Sequence, residues 1–489
     1  MSSPEETRKS LVVPQTLKGF RDLMPPEMIA RNAVVERIRS VYEKYGFVPV
    51  DTPTLEHLPT LLGPGGEQIN KELFRLQSPE GDSVAMRFDL TVPFARLLAQ
   101  YPEQLKLPFR RYHIGPVFRA DKPGPGRFRQ FVQFDIDAAG SSSVAVDAEI
   151  VAAMAEVLRS LGLAPGEFQI RINNRRLVDA LLIGQNIVDP DVQKHVLRVI
   201  DKLLKVGVEN IRKELGGGRV DDSGDPIRGV GLSEAVIEEL LKFISVTGST
   251  RQEVLTALEA LLPKNSLSEA ALREMTELAQ AMASLRLSEA EAVFDPSLMR
   301  GLDYYTGPVF EAQLPSAPQF GSVMGGGRYD QLVARFMDQS VPATGASIGL
   351  DRLLEALTHL GKVTPVLTVT KVLILSMRGV ASADLLALAS ELRAQDIPTE
   401  VFFADAARGF KDQLSVANAR QIPVAIIIGE DELKAGTVSV KDLRAGMQAR
   451  SGIQDREQYK KSGKAGQVTV ARAELIKTVR DMLSGEPGR

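Results

Sequence analysis

The chain has 489 residues, with 59 Lys and Arg against 62 Asp and Glu, a formal charge of −3. At about 100–200 residues per domain this length predicts about three domains, and 44% hydrophobic with 25% charged residues excludes a disordered chain. No cysteine occurs, which excludes disulfides, thiolate zinc sites, iron–sulfur clusters and a cysteine nucleophile.

From Arg31 to Tyr45 apolar residues recur at helical spacing, and Gly46 ends the pattern before FVPVDTP, which alternates as a strand. Between Val84 and Ala138 lie three strand-like stretches, VAMRFDLTV, RRYHIGPVFRA and FRQFVQFDIDAA, the last two joined by the hairpin-like DKPGPGRF. Strands joined so closely predict an antiparallel sheet. Residues 141–163 read as one amphipathic helix and EFQIRIN as another strand. From Asn174 to Asp295 helical segments dominate, among them DVQKHVLRVIDKLLKVG and LREMTELAQAMASL, which predicts a helical insertion. Strands resume with YYTGPVFEAQL and SVMGGGRYD, followed by a helix at DQLVARFM and another after GASIGLDR. From Lys371 strand and helix alternate, the sign of a separate α/β domain. The N-terminus, MSSPEETRKSLVV, lacks the apolar core of a signal peptide, and no apolar run approaches the ~20 residues of a membrane span, so a soluble, cytoplasmic protein is expected.

The four histidines, His57, His113, His195 and His359, are scattered and form no local metal-ligand pair, so no protein metal site is expected. Glycine-rich stretches occur at 63, 216 and 325, but none follows a P-loop or dinucleotide pattern. Arginine offers another way to meet phosphate or carboxylate, through a planar fork that never loses its charge. Arg87 and Arg119 stand in strand-like stretches, and Arg300 just precedes GLDYY. Asp89 follows Arg87 by two residues, and Gln133, Asp135 and Asp137 alternate, so each set is expected to share a strand face. Either these groups pair with one another structurally, or they line a pocket of both signs suited to a zwitterion.

The stretch GPVFRADKPGPGRFRQFVQFDID resembles motif 2 of class II aminoacyl-tRNA synthetases, GASIGLDRLLEAL resembles motif 3, and YGFVPVDTPTLE, with Pro53, resembles motif 1. MRGLDYYTGPVFE and GGGRYDQL resemble the two peptides that mark the histidyl-tRNA synthetase family, and GEDELKAGTVSVKDLRAGMQ is similar to the end of its anticodon-binding domain. The resemblance runs from about Thr16 to Met482. It implies an α/β fold with an α+β catalytic domain, namely a class II antiparallel sheet flanked by helices, with a helical insertion and a C-terminal α/β anticodon-binding domain. The expected domains are 1–173 and 296–365 for the catalytic core, 174–295 for the insertion and 371–489 for the anticodon-binding domain.

The activity implied is activation of L-histidine with ATP to histidyl-adenylate, then transfer to the 3′ end of tRNA(His). The histidine carboxylate is already ionised at neutral pH, with a pKa of about 3.5. No general base is needed, and the tasks are orientation and charge neutralisation by arginine and Mg²⁺. By motif position, Arg119 and Arg300 are the catalytic cations at the α-phosphate and substrate carboxylate. Phe131 and Arg352 sandwich adenine, and Arg127 meets the outer phosphates. Asp89, Thr91 and Gln133 receive the α-amino group, while Asp137 and Tyr305 bracket the imidazole and Tyr304 lines its pocket. Asp89 and Asp137 stand where many bacterial members have Glu, which keeps the charge and shortens the arm.

The resemblance further implies a homodimer through motif 1. Between Lys441 and Arg480 ten basic residues face four acidic ones, a net +6 that suits tRNA phosphates. The motif 2 loop around Lys122–Arg127 is expected to see the acceptor end, and the insertion to clamp the acceptor stem. The alternative is a non-catalytic, histidine-sensing regulatory subunit of ATP phosphoribosyltransferase, which resembles the same catalytic core.

Overall fold

The computed structural model describes residues 12–62, 71–124, 126–221, 224–299, 304–403, 409–448 and 466–485. They divide into two compact units, Met1–Asp22 with Ala33–Thr364, and Leu23–Asn32 with Pro365–Arg489. The first helix, α1 (Pro25–Lys44), begins ahead of the expected Arg31. Its two leading prolines suit a first turn, where the missing N–H would be unpaired anyway.

After α1 come β1 (Val48–Pro49), β2 (Leu55–His57), α2 (Leu58–Leu61), β3 (Arg75–Gln77), β4 (Ser83–Met86), α3 (Thr91–Gln100), β5 (Phe109–Phe118), β6 (Gln130–Ala139), α4 (Val144–Ser160) and β7 (Gln169–Asn174). Helices α5 (Arg175–Gly184), α6 (Pro190–Ile200), α7 (Leu203–Val206) and α8 (Val208–Leu215) precede a short hairpin, β8 (Gly218–Val220) and β9 (Pro226–Arg228). Helices α9 (Glu234–Ile244), α10 (Arg251–Leu261) and α11 (Ser266–Ser284) lead to β10 (Ala292–Phe294), β11 (Pro308–Gln313), β12 (Ser322–Arg328), β13 (Ala343–Gly349) and α12 (Leu350–His359).

Eight strands form one sheet in the order β1-β5-β6-β13-β12-β11-β7-β10. Its five inner pairings, from β5·β6 through β11·β7, are antiparallel, and the outermost strand at each edge is parallel to its neighbour. Strand alternation divides labour between the faces. On β6, Phe134, Ile136 and Ala138 enter a large apolar core with α4, while Gln133, Asp135 and Asp137 belong to the opposite face. The same core takes in Val196, Ile211, Leu240, Leu255 and Met275, so the helices between β7 and β10 share their interior with the sheet. Helix α4 is fixed under the sheet by a buried ion pair: Arg328 Nη2 of β12 lies 2.5 Å from Asp147 Oδ2, and its other donors reach Ser141 O and Ser143 O.

Two expectations from the sequence are corrected. VAMRFDLTV is not one strand: β4 stops at Met86 and α3 starts at Thr91, with Asp89 Oδ1 accepting from Val92 N at 2.9 Å. The aspartate's bond to a helix-start amide replaces the strand ladder, so Arg87 and Asp89 do not share a strand face. DQLVARFM forms a single 3₁₀ turn, Val333–Arg335, rather than a helix. Short helices are marginal by themselves, and here Leu332, Val333 and Phe336 pack instead into a cluster with Phe88, Val92 and Tyr329.

The second unit carries β14 (Val372–Leu375), α13 (Ser382–Arg393), β15 (Thr399–Val401), α14 (Phe410–Ala419), β16 (Val424–Ile427), α15 (Glu430–Ala435), β17 (Thr437–Asp442), α16 (Leu443–Gln448), β18 (Gln467–Ala471) and α17 (Leu475–Ser484). Its sheet order is β15-β14-β16-β17-β18, with β14, β15 and β16 parallel and β17 and β18 antiparallel. The basic stretch at its end is not one exposed strip. Lys441 is buried, Arg472 pairs with Glu391 at 2.6 Å and Arg480 donates to Gln395 at 3.0 Å. Arg450, Arg456, Lys460, Lys461 and Lys464 lie outside the described residues.

Close approach of β12 to β13 depends on glycine. A Cβ at Gly326 would lie 2.0 Å from Gly345 O, a backbone atom that cannot swing away. Gly326→Ala is therefore expected to cost about 1–3 kcal/mol, seen as an earlier thermal transition than that of the unaltered protein.

Candidate active site

The polar face of the large sheet forms the floor of a cavity of about 470 Å³. Asp89, Thr91, Arg119, Arg127, Phe131, Gln133, Asp137, Tyr304, Tyr305 and Arg352 all line it. Ten of the eleven residues singled out from sequence are thus brought together from six separate stretches of chain. Arg300 lies outside the described residues.

Arg119 follows directly on β5. Its Nε donates to Phe88 O at 3.2 Å, and its guanidinium carbon sits 4.1 Å from the Phe88 ring centroid and 5.3 Å from that of Phe131. Burial lowers its pKa, offset by the charge of Asp89. Arg352, in the first turn of α12, donates from Nη1 to Ser322 O at 2.8 Å. Burial lowers its pKa too, and the next two causes are the charges of Arg127 and Arg119. Arg352 thus feels the charge of both other guanidiniums that line the cavity, which a bound polyanion would relieve. Arg127 Nη2 rests 3.2 Å from Asp121 Oδ2.

Buried carboxylates share the cavity with these arginines, and Asp89 and Arg119 act on one another's charge. Asp137 Oδ2 lies 2.6 Å from Arg111 Nη2, and its Oδ1 accepts from the Tyr329 hydroxyl. Burial raises the Asp137 pKa to about 6, against the pull of Arg111. Asp135 is raised to about 7, again by burial first, with Arg111 opposing and Asp137 adding to the rise. Burial also raises Asp89. Gln133 Nε2 donates to Ser347 Oγ at 2.8 Å, which leaves its buried Oε1 with no partner among the described residues.

Arg87 does not meet a substrate anion. Its Nη1 donates to Thr52 O at 2.6 Å and its Nε to Pro116 O at 2.8 Å, and it forms an ion pair with Asp51 at 3.8 Å, so Arg87 pairs structurally, the first of the two alternatives read from sequence. Sequence reading missed Arg111 and Tyr329. Arg111 could have been found from the hairpin register, because pairing Phe118 with Gln130 places Arg111 directly across from Asp137. Tyr329 stood in a quoted peptide, GGGRYD, without a task.

A largely antiparallel sheet whose polar face carries arginines and carboxylates around one cavity is the architecture of a class II aminoacyl-tRNA synthetase. Residues 19–353 match the family model for histidyl-tRNA synthetase, and residues 371–482 match that for an anticodon-binding domain. The chain is 41% identical over 485 residues to a histidine–tRNA ligase of Paracoccus denitrificans, covering 96% of this chain and 97% of that one. It is 40% identical over 487 residues to that of Cereibacter sphaeroides, covering 96% and 98%. Among solved structures, the histidyl-tRNA synthetase from Nostoc sp. PCC 7120 superposes with a TM-score of 0.78 at 28% identity, over 96% of this chain and 100% of that one. The chain belongs to the histidyl-tRNA synthetase family.

The raised carboxyl pKa values carry a sign for stability. A folded-state pKa of about 7 for Asp135, against about 3.9 unfolded, means that the native state binds more protons between those values. Stability then falls as pH rises from about 4 to about 7. Asp135→Asn is expected to flatten that part of the profile, measured as thermal midpoint against pH in the absence of ligands.

Proposed function

We propose that the chain is a histidine–tRNA ligase: it activates L-histidine with ATP, releasing pyrophosphate, and transfers histidine to the 3′ end of tRNA(His). The observation that carries this reading is one cavity lined both by arginines, Arg119, Arg127 and Arg352, and by the buried carboxylates of Asp89, Asp135 and Asp137. The arginines fit a triphosphate, and the carboxylates a positively charged amine and a hydrogen-bonding side chain.

In this reading the histidine carboxylate attacks the α-phosphorus, and pyrophosphate leaves. Arg119 stands on the α-phosphate and the carboxylate, with Arg300 as its partner cation and Arg127 towards the outer phosphates. Adenine stacks between Phe131 and Arg352, both of which offer a flat face. Asp89, Thr91 and the unpartnered Gln133 Oε1 receive the α-ammonium. Asp137 accepts from one imidazole nitrogen while Tyr305 serves the other, with Tyr304 closing the pocket.

Mg²⁺ fits this site as a shared guest. No group of three carboxylate or histidine side chains among the described residues is placed to hold a metal, yet Glu72, Asp121 and Glu311 line the cavity. Mg²⁺ commonly takes one or two carboxylates and completes its shell with phosphates and water. When bound, it neutralises charge on the phosphates, and Glu72 and Glu311 would hold it.

The regulatory-subunit alternative is not favoured, because the ligase relatives align over nearly the whole chain, including the anticodon-binding region. Residues 1–173 and 296–365 are assigned to catalysis, 174–295 to an insertion that grips the acceptor stem, with the Lys122–Arg127 loop at the acceptor end, and 371–489 to the anticodon. A homodimer through motif 1 and a cytoplasmic location complete the assignment. No described helix is long and apolar enough to cross a membrane.

ATP–pyrophosphate exchange with each amino acid tests the activity: exchange dependent on histidine is expected, and faster exchange with another amino acid would overturn it. Arg119→Ala should lower kcat for exchange about 10²–10³-fold. Removing the chain after Thr370 should abolish tRNA charging while measurable adenylation persists; undiminished charging would refute the assignment of that region.

A further inference from the structure

Arg111 has no task in the scheme above, yet its side chain is wholly removed from solvent beneath the cavity floor. Nη2 donates to Leu90 O at 3.0 Å and lies 2.6 Å from Asp137 Oδ2, and the guanidinium carbon sits 4.7 Å from the Phe94 ring centroid. Leu90 and Phe94 belong to the start of α3, so the cation is clamped between that helix and the β5·β6 hairpin. Arg111 does not line the cavity, whereas Asp135 and Asp137 both do.

Of the two buried carboxylates two residues apart, Asp137 contacts this cation, whereas Asp135 only feels its charge, together with that of Arg87 and a hydrogen bond from Ser347. Asp137 touches it and also accepts from Tyr329, while Asp135 Oδ1 has no hydrogen-bond partner among the described residues. An uncompensated charge in such a place is costly. The ionised state therefore belongs to Asp137, and Asp135 is the place for the proton. The Arg111–Asp137 pair is neutral as a whole. It offers an acceptor to an imidazole N–H but no net charge to an imidazolium.

We propose that Arg111 is a positioning residue that makes Asp137, rather than Asp135, the ionised carboxylate of the cavity floor, so that the site selects histidine with an uncharged imidazole. The inference rests on the reading in which Asp137 faces that imidazole. The other titratable or charged groups around it are Asp89 at the start of α3, His113 and Arg87 beside Arg111, Arg119 beside Asp89, Tyr42 of α1 and Tyr329 after β12. His113 stays neutral across the working range, since burial and then the charges of Arg111 and Arg87 push its pKa down to about 3.

Two measurements test the proposal. Calorimetric binding of histidine to the full chain at about pH 6, close to the free imidazole pKa of about 6.5, is run in buffers of different ionisation enthalpy. Net proton release is expected, because the neutral form is selected from a partly protonated pool; net uptake or no exchange would overturn the proposal. ATP–pyrophosphate exchange is then followed from about pH 6 to about pH 8.5 with Arg111→Met and Arg111→Lys. Arg111→Met should raise KM for histidine about tenfold or more at the alkaline end, with kcat within about threefold. Its KM should improve towards acid pH, opposite to the unaltered enzyme, and Arg111→Lys should restore the original direction. A wild-type pH profile in Arg111→Met, or equal losses at every pH, overturns the role of Arg111. Asp137→Asn separates the two layers: an unchanged histidine KM there overturns the reading of Asp137 itself.

Discussion

Charge compensation out of water is the constraint on which this site is built. Asp89, Asp135 and Asp137 are all buried, and each answers to the positive charge of Arg111 or Arg119. A lone buried ion would cost several kcal/mol, so these groups stand or fall together. What burial offers in exchange is preorganisation: charged groups fixed in advance need little rearrangement when a charged substrate arrives.

Glycine makes the geometry attainable. A Cβ at Gly345 would come 2.1 Å from Asp137 Oδ1, and one at Gly327 would come within 2.9 Å of the Tyr305 ring. The GGGRYD peptide thereby combines several roles in six residues. Its glycines bring β12 close to its neighbours, Arg328 anchors α4 through Asp147, Tyr329 holds Asp137, and Asp330 accepts from the Thr306 hydroxyl. Asp137 is held by Arg111 through one oxygen and by the Tyr329 hydroxyl through the other.

Much of this was legible in the residues. The alternation of Gln133, Asp135 and Asp137 announced a polar face on a strand whose other face is apolar, and ten of the residues given roles from the motifs line the cavity. Local pattern failed where tertiary partners decided the outcome. Whether Arg87 pairs structurally or binds a ligand stayed open in the sequence because its partners, Thr52, Pro116 and Asp51, are distant along the chain. Asp89 looked like a strand residue because its use at the start of α3 depends on where the chain turns. Likewise the net +6 near the C-terminus could not reveal that Lys441 is buried and that Arg472 is spent on Glu391.

One contact reaches beyond the cavity. Arg21, near the beginning of the chain, lies over the Phe128 ring at 3.9 Å and bridges Asp351 and Glu355, the residues that flank Arg352 on α12. Asp351 in turn accepts from the backbone N–H of Val132, next to Phe131. Arg21 thus ties the helix start that carries Arg352 to the strand that carries Phe131. A truncation that removed Arg21 would take away the ion pairs to Asp351 and Glu355, which lie on either side of Arg352 along α12.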